Sequence, residues 1–459
     1  MKYVRDNIIG NDHVFKSPFG LRKVLYLDYI ASGRGLKFIE DYIQKQVLPE
    51  YANTHTTTSV TSLQTSLFRQ QARDIIRSCC NANESDCVIF VGSGCTGAID
   101  KILHSLDLSK PPVTFLNNLF QIVFMCPYAH HSLFLPWGEA GAKVIRVPHD
   151  KNGLVDKTFL ESNLKKHAGS DRQLIGCFTA ASNVTGIISD IDNITFLLHK
   201  YGALAFWDYA TAAPYVQIDC NPHVDEYSDK YLYKDAVFIS PHKFLGGVST
   251  PGVLIAKRNL FKSQKPVICG GGTVVYVTQS SRVYHTDPEV REEGGTPAIV
   301  ESIRAGLTFQ LKEAITPKYI LSRENYLFRK AMPVFKTNKN LVILGNTDSD
   351  RLPVFSFLIY HPQTGRFLHH NFISTILNDV FGIQNRGGCA CAGPYAIKSI
   401  ISTKLLISKS VYLPFRPGFT RLNLPYFLLE DEVQFIIKAV TMVADDGWKL
   451  LPQVTEYLF

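Results

Sequence analysis

The chain has no apolar run approaching the ~20 residues a membrane-spanning helix needs, so no membrane partner is expected. Its opening residues, Met1-Lys2-Tyr3-Val4-Arg5-Asp6, lack both the apolar core of a secretory signal and the Arg- and Ser-rich character of a transit peptide. Cysteine is sparse: ten among 459 residues are too few for a disulfide scaffold, and no paired CxxC spacing suggests structural zinc. A reducing, cytoplasmic compartment is therefore the expectation. The Asn-x-Ser/Thr matches at Asn83, Asn183 and Asn193 are then chance occurrences. Internal repeats, heptads and low-complexity tracts are absent. The 48 basic residues exceed the 40 acidic ones, for a net charge of +8, but they are scattered. Without a basic stripe a nucleic-acid groove is not expected; an anionic small ligand fits the charge.

What is present is an ordinary soluble composition, 46% hydrophobic and 19% charged, in a chain long enough for two domains. Short β-branched runs alternate with helical periodicity from Cys87-Val88-Ile89-Phe90-Val91 to Ala203-Leu204-Ala205-Phe206-Trp207-Asp208. That alternation predicts an α/β fold with a mostly parallel sheet covered by helices on both faces. A different pattern of strands and helices after about residue 315 predicts a small α+β C-terminal domain. The expected divisions are an N-terminal segment, 1–24, a large domain, 25–315, and a small one, 316–459.

In such sheets the loops at the strands' carboxyl ends carry the ligand. Gly92-Ser93-Gly94-Cys95-Thr96-Gly97 follows a strand and precedes a helical run. Formally it is a dinucleotide fingerprint. The acidic residue that should close the next strand is missing, because Val113-Thr114-Phe115-Leu116 leads to Asn117-Asn118. A single phosphate at a helix N-terminus, with the Thr96 hydroxyl, is the better reading. His130-His131 could ligate a metal, but no third ligand lies at helical spacing, so none is expected. An imidazole packed on a flat ring is the alternative. Asp208 directly follows an apolar run and needs a cation if buried, either a core Arg or Lys or a protonated pyridine. Ser240-Pro241-His242-Lys243 joins two apolar strands. Lys243 reads either as a surface lysine at a turn or as a desolvated amine able to form a Schiff base. Gly92–Thr96, His130, Asn183, Asp208 and Lys243 all fall at strand ends, and together they favour a cofactor site.

These residues, with Ser182-Asn183-Val184-Thr185-Gly186, His130-His131 through Pro136-Trp137, Glu293-Gly294-Gly295-Thr296-Pro297 and the loop Arg386 to Pro394, occur in one order. In that order the chain resembles the class V aminotransferase superfamily of fold-type I pyridoxal phosphate (PLP) enzymes, and within it the cysteine desulfurases. The resemblance implies that Lys243 holds PLP, Asp208 pairs with the pyridinium nitrogen, and His130 stacks on the ring as a catalytic group. It implies Asn183 near the ring's O3′ or the substrate. Thr96, Ser240 and His242 would bind the phosphate, with Thr296 reaching in from a second subunit of a homodimer. Cys95 and Thr211 stand where the family has a threonine and a glutamine that touch the cofactor. Arg386 and Arg421 would clamp the carboxylate of a small amino-acid substrate. Cys391 would take its sulfur as a persulfide for an acceptor protein. Cys389-Ala390 replaces the usual histidines, and this departure keeps other readings open: a transaminase, a kynureninase- or epimerase-like lyase or isomerase, or a non-catalytic scaffold.

Overall fold

The computed structural model of the protein describes residues 1–106, 121–401 and 417–454. The expected strand at residues 113–116, with Asn117-Asn118, lies outside them. Seven strands form the main sheet, in the spatial order Asp86–Val91, Gly252–Lys257, Ala236–Ile239, Leu204–Asp208, Leu174–Thr179, Ile122–Met125, Lys143–Arg146. Several are buried along their whole length, which is why they read as unbroken apolar runs rather than as alternation.

The strands from Lys143–Arg146 to Ala236–Ile239 pair in parallel. Gly252–Lys257 is the departure, antiparallel to both of its neighbours. The connection that carries Lys243, residues 240–251, holds one tight turn, Pro241–Lys243, and no α-helix to cross the sheet, so the chain returns beside the strand it has just left. Asp86–Val91 consequently points the same way as the parallel strands. Its carboxyl end opens on the same edge of the sheet as theirs.

Asp86–Val91 is an edge strand, and its outward N–H groups are not left bare. Glu289 Oε1 accepts from the Val88 N–H at 2.7 Å, and Glu293 Oε1 accepts from the Phe90 N–H at 2.6 Å. Arg69 and Arg73, on the helix Val60–Cys79, pair with Glu293 in turn. Carboxylates thus close an edge that would otherwise template further pairing.

A second, antiparallel sheet has the order Leu341–Ile343, Val354–Ile359, Phe419–Asn423, Arg386–Gly388. A cluster that includes Phe335, Phe357, Ile376 and Val440 packs helices Pro317–Thr337, His370–Phe381 and Glu430–Asp446 against it. The chain's beginning is tied to this unit. Leu25–Tyr26 pairs in parallel with Ile383–Gln384, and Ser17 and Arg22 donate to the carbonyls of Asp379 and Val380.

Two local features stand apart from the two sheets. The helix from Lys37 leaves α geometry at Tyr42 and passes through wider and then tighter turns to Glu50. The glycine-rich loop from Gly270 to Thr273 leads into a hairpin, Val274–Val277 with Arg282–Tyr284. Its apolar residues Val275, Tyr276 and Val277 are exposed, so it carries no burial alternation to give it away.

Candidate active site

The strand ends converge on a cavity of about 210 Å³ between the main sheet and the small one. Lys243 enters from a tight helical turn, Pro241–Lys243, after Ala236–Ile239. Among the described residues its amine has no hydrogen-bond or ion-pair partner. Burial pulls the Lys243 ammonium below its usual range; Cys95 and Asp208 oppose that, while Arg421 and Arg386 reinforce it. The amine is thus shifted toward the neutral, nucleophilic form.

Asp208, 2% exposed at the end of its strand, also faces the cavity. Its Oδ1 accepts the Ala210 N–H at 2.7 Å, and among the described residues it forms no salt bridge. Burial pushes its carboxyl up, against the pull of the Ala210 N–H, Lys243 and Cys95. A buried acid without an ion-pair contact, facing an open cavity, suits a ligand that brings its own positive charge, such as a protonated pyridine nitrogen. Of the two alternatives for Asp208, the core Arg or Lys partner is absent among the described residues.

His130 caps the helix His131–Glu139, and its Nδ1 accepts the Ser132 N–H at 3.1 Å. Burial first, then the nearby charges of Lys243, His131, Arg386 and Arg421, bring its pKa down to about 4. The ring is therefore neutral at ordinary pH. No group of three or more metal-type ligands occurs among the described residues.

At the helix that opens at Gly94, Thr96 donates to Ser132 Oγ at 2.7 Å and the Cys95 N–H donates to Ser240 Oγ at 2.9 Å. Gly94 has φ +54°, and a Cβ there would lie 2.7 Å from Ser240 Oγ. Glycine is what allows this turn to close on Ser240. His242 Nδ1 lies 3.0 Å from Ser32 Oγ, and burial, then Lys243, lowers its pKa to about 4. Burial holds the Cys95 thiol well above its ordinary range. Thr211 also lines the cavity. Hydroxyls, N–H groups and a helix N-terminus gathered at one end of the cavity suit a phosphate.

The small sheet supplies the other wall. Arg386 and Arg421 stand directly opposite each other on neighbouring antiparallel strands, and both line the cavity. Arg421 is already engaged, donating to Asp28 Oδ1 at 2.7 Å and to the Asn183 carbonyl at 2.9 Å. Arg386 has no partner among the described residues, which leaves its fork open for a carboxylate. Asn183 donates to the Ala390 carbonyl at 2.7 Å.

The neighbouring Cys391 is exposed and lines the cavity. Cys389 is half-buried, does not line it, and directs its Sγ to the Pro417 carbonyl at 2.9 Å. Thr296 lies on the surface, where its Oγ1 accepts from Asn53 at 3.3 Å, outside its own chain's cavity.

Three contributors were missed in the sequence. Asp28 follows the strand Leu25–Tyr26 and Leu27, the same acid-after-apolar-run signal that singled out Asp208. Ser132 and Ser32 carry no comparable signal, because their roles depend on Thr96 and His242 far along the chain.

The chain is similar to curated proteins from several organisms. A "probable cysteine desulfurase" of Halalkalibacterium halodurans is 27% identical over 379 residues, covering 81% of this chain and 84% of that protein. One of Staphylococcus epidermidis is 26% identical over 395 residues, covering 84% and 87%. Among solved structures, the apo cysteine desulfurase of Thermococcus onnurineus superposes with a TM-score of 0.74 at 22% identity, covering 92% of this chain and 95% of that one. The Escherichia coli cysteine desulfurase CsdA, carrying an S-sulfonic acid, gives 0.70 at 19% identity, covering 93% and 94%. The fold is therefore that of these PLP-dependent enzymes. With the family model for aminotransferase class-V matching residues 25–416, across both walls of the cavity, the chain belongs to the class-V aminotransferase family.

Proposed function

We propose that the protein is a cysteine desulfurase that holds PLP on Lys243 and transfers the sulfur of L-cysteine to Cys391. The observation that carries this reading is an exposed cysteine on the rim of the same cavity that holds an unpartnered lysine and a buried, unpaired aspartate. PLP bound there would act as the electron sink that makes the Cα proton of an amino acid removable and its C–S bond breakable.

The remaining work falls to the chain's own groups. Lys243 would hold the cofactor and, with its amine free, would accept the Cα proton. Asp208 keeps the pyridine nitrogen positive. The neutral His130 ring would pack against the cofactor, and Asn183, Cys95 and Thr211, which line the same cavity, would border it. Thr96, Ser240 and His242 hold the phosphate. Arg386 binds the substrate carboxylate bidentately, while Arg421, fixed by Asp28, contributes charge beside it. The Cys391 thiol takes up the sulfur. L-cysteine plus a thiol gives L-alanine plus a persulfide, which balances without an outside oxidant.

Our reading extends to a homodimer, in which Thr296 completes the partner's phosphate site. Exposed Val60, Leu63 and Leu67 lie at helical spacing on one face of Val60–Cys79, and the exposed apolar hairpin adds to this surface; both would be covered by a second copy. An acceptor protein would collect sulfur from the exposed Cys391. Ten cysteines that form no disulfide favour a reducing compartment, the cytoplasm. Among the described residues no helix is long and apolar enough to cross a membrane. We also read the chain as a large PLP-binding domain, 25–315, and a small one, 316–459, after an N-terminal segment, 1–24; the separate apolar cluster around the second sheet supports this division.

The test is product analysis with point variants. Wild-type protein should be yellow, and borohydride should fix the cofactor to the peptide bearing Lys243. It should release alanine from cysteine. Cys391→Ala should keep the colour and lose sulfur release, while Cys389→Ala keeps at least partial turnover. Wild-type turnover by Cys391→Ala would replace desulfuration with a cysteine-independent reaction such as transamination.

A further inference from the structure

The turn that carries Cys391 has a backbone shape that needs holding. Ala390 and Cys391 have φ of +48° and +55°, a region that residues with a Cβ keep only where the surroundings impose it. Within the turn, the Ala392 N–H donates to the Cys389 carbonyl at 3.0 Å. From outside, Asn183 holds the Ala390 carbonyl.

The grip on Cys391 itself comes from His131. The His131 backbone N–H donates to the Cys391 carbonyl at 2.8 Å. Its ring Nε2 accepts the Gly393 N–H at 3.0 Å. One residue therefore clasps the turn at two points just after the thiol, while Asn183 holds the carbonyl just before it. Gly393 opens the helix Gly393–Ile401, so the imidazole also satisfies one of the N–H groups a helix start leaves free. A Cβ at 393 would lie 3.1 Å from that nitrogen, and glycine lets the ring come close. Because Nε2 accepts, the ring is neutral with its hydrogen on Nδ1. His131 does not line the cavity, whereas His130 beside it does.

We propose that His131 is a positioning residue for sulfur transfer, holding the Cys391 thiol at the cavity while touching neither cofactor nor substrate. The consequence for turnover rests on the desulfurase reading; the consequence for the turn does not. In His131→Ala the backbone clasp remains and the ring clasp is lost. The maximal rate of alanine release should fall about tenfold to a hundredfold, the usual effect of displacing a reacting group by about 1 Å. The KM for cysteine and the visible cofactor absorbance should stay at wild-type values. Alkylation of Cys391 by iodoacetamide, followed by mass spectrometry, should become severalfold faster as the turn loosens. His131→Gln, whose side-chain carbonyl can accept the Gly393 N–H, should recover most of both effects.

A wild-type maximal rate in His131→Ala overturns the proposal. So does a loss of rate that merely tracks loss of cofactor absorbance, or a His131→Gln variant no better than His131→Ala. If wild-type protein releases no alanine from cysteine, the desulfurase reading fails. An alkylation rate that still depends on His131 would then uphold the clasp on its own.

Discussion

Replacing Glu293 by glutamine isolates the charge that closes the edge of the main sheet. The Glu293 side chain is 6% exposed and its two oxygens meet Arg73 Nη1 and Nη2 at 3.0 Å each, a bidentate pair, with Arg69 alongside. Glutamine keeps the shape and one acceptor, enough for the Phe90 N–H, but turns an amide NH₂ toward two guanidiniums. Breaking a buried pair from one side costs about 3–5 kcal/mol. We take about 3 kcal/mol for Glu293→Gln because the second arginine is near the surface and retains some solvent. Glu293→Ala also strands the Phe90 donor, for about 1–3 kcal/mol more.

Acid supplies an internal control. Burial raises the Glu293 carboxyl, but Arg73 and Arg69 outweigh it and hold the folded value below the ordinary 4.5. A depressed carboxyl contributes stability above its unfolded pKa and loses it as pH falls through the folded value. Urea unfolding at fixed protein and cofactor concentration, at pH ~7 and again at pH ~4, should therefore show a gap between wild type and Glu293→Gln that narrows in acid. A gap under about 0.5 kcal/mol at neutral pH, the range of ordinary surface changes, would refute the reasoning. So would a gap that widens in acid.

Two further outcomes are expected. Arg386→Ala should raise the KM for cysteine about ten- to hundredfold, the worth of a hydrogen-bonded charge on a carboxylate, and Arg386→Lys should recover only part, because an ammonium lacks the planar fork; an unchanged KM would assign the carboxylate elsewhere. In cofactor-free protein, NMR should find His130 and His242 titrating near about 4. Between there and their ordinary 6.5 the unfolded chain binds protons that the folded chain refuses, so both histidines lower stability as pH drops through this window; midpoints near 6.5 would show that burial does not govern either ring.

Lys243, Asp208 and Thr96 were legible because each closes or follows an apolar run, and a parallel sheet sends such ends to one edge. The reversal at Gly252–Lys257 was less legible, since a buried strand looks alike in either direction. It follows from a connection that holds no α-helix rather than from any residue in the strand. The engagement of Arg421 by Asp28 spans nearly the whole chain, and local pattern carries no trace of such a pairing. The clasp of His131 on Gly393 is hidden for the same reason, behind a dipeptide that first suggests metal. Cys391 could be singled out by position, but its separation from Cys389 depends on a twist of backbone that only the folded turn possesses.

The two arginines facing each other across the small sheet make an empty cavity electrostatically incomplete. Asp28 neutralises one of them and nothing among the described residues neutralises the other, so the resting protein carries a standing demand for a counter-ion. On the desulfurase reading, inorganic anions would compete for this place, and turnover measured in sulfate or phosphate buffers would understate affinity for the amino acid. On that reading the same demand would make the small sheet a gauge of occupancy, firmer whenever a carboxylate meets Arg386.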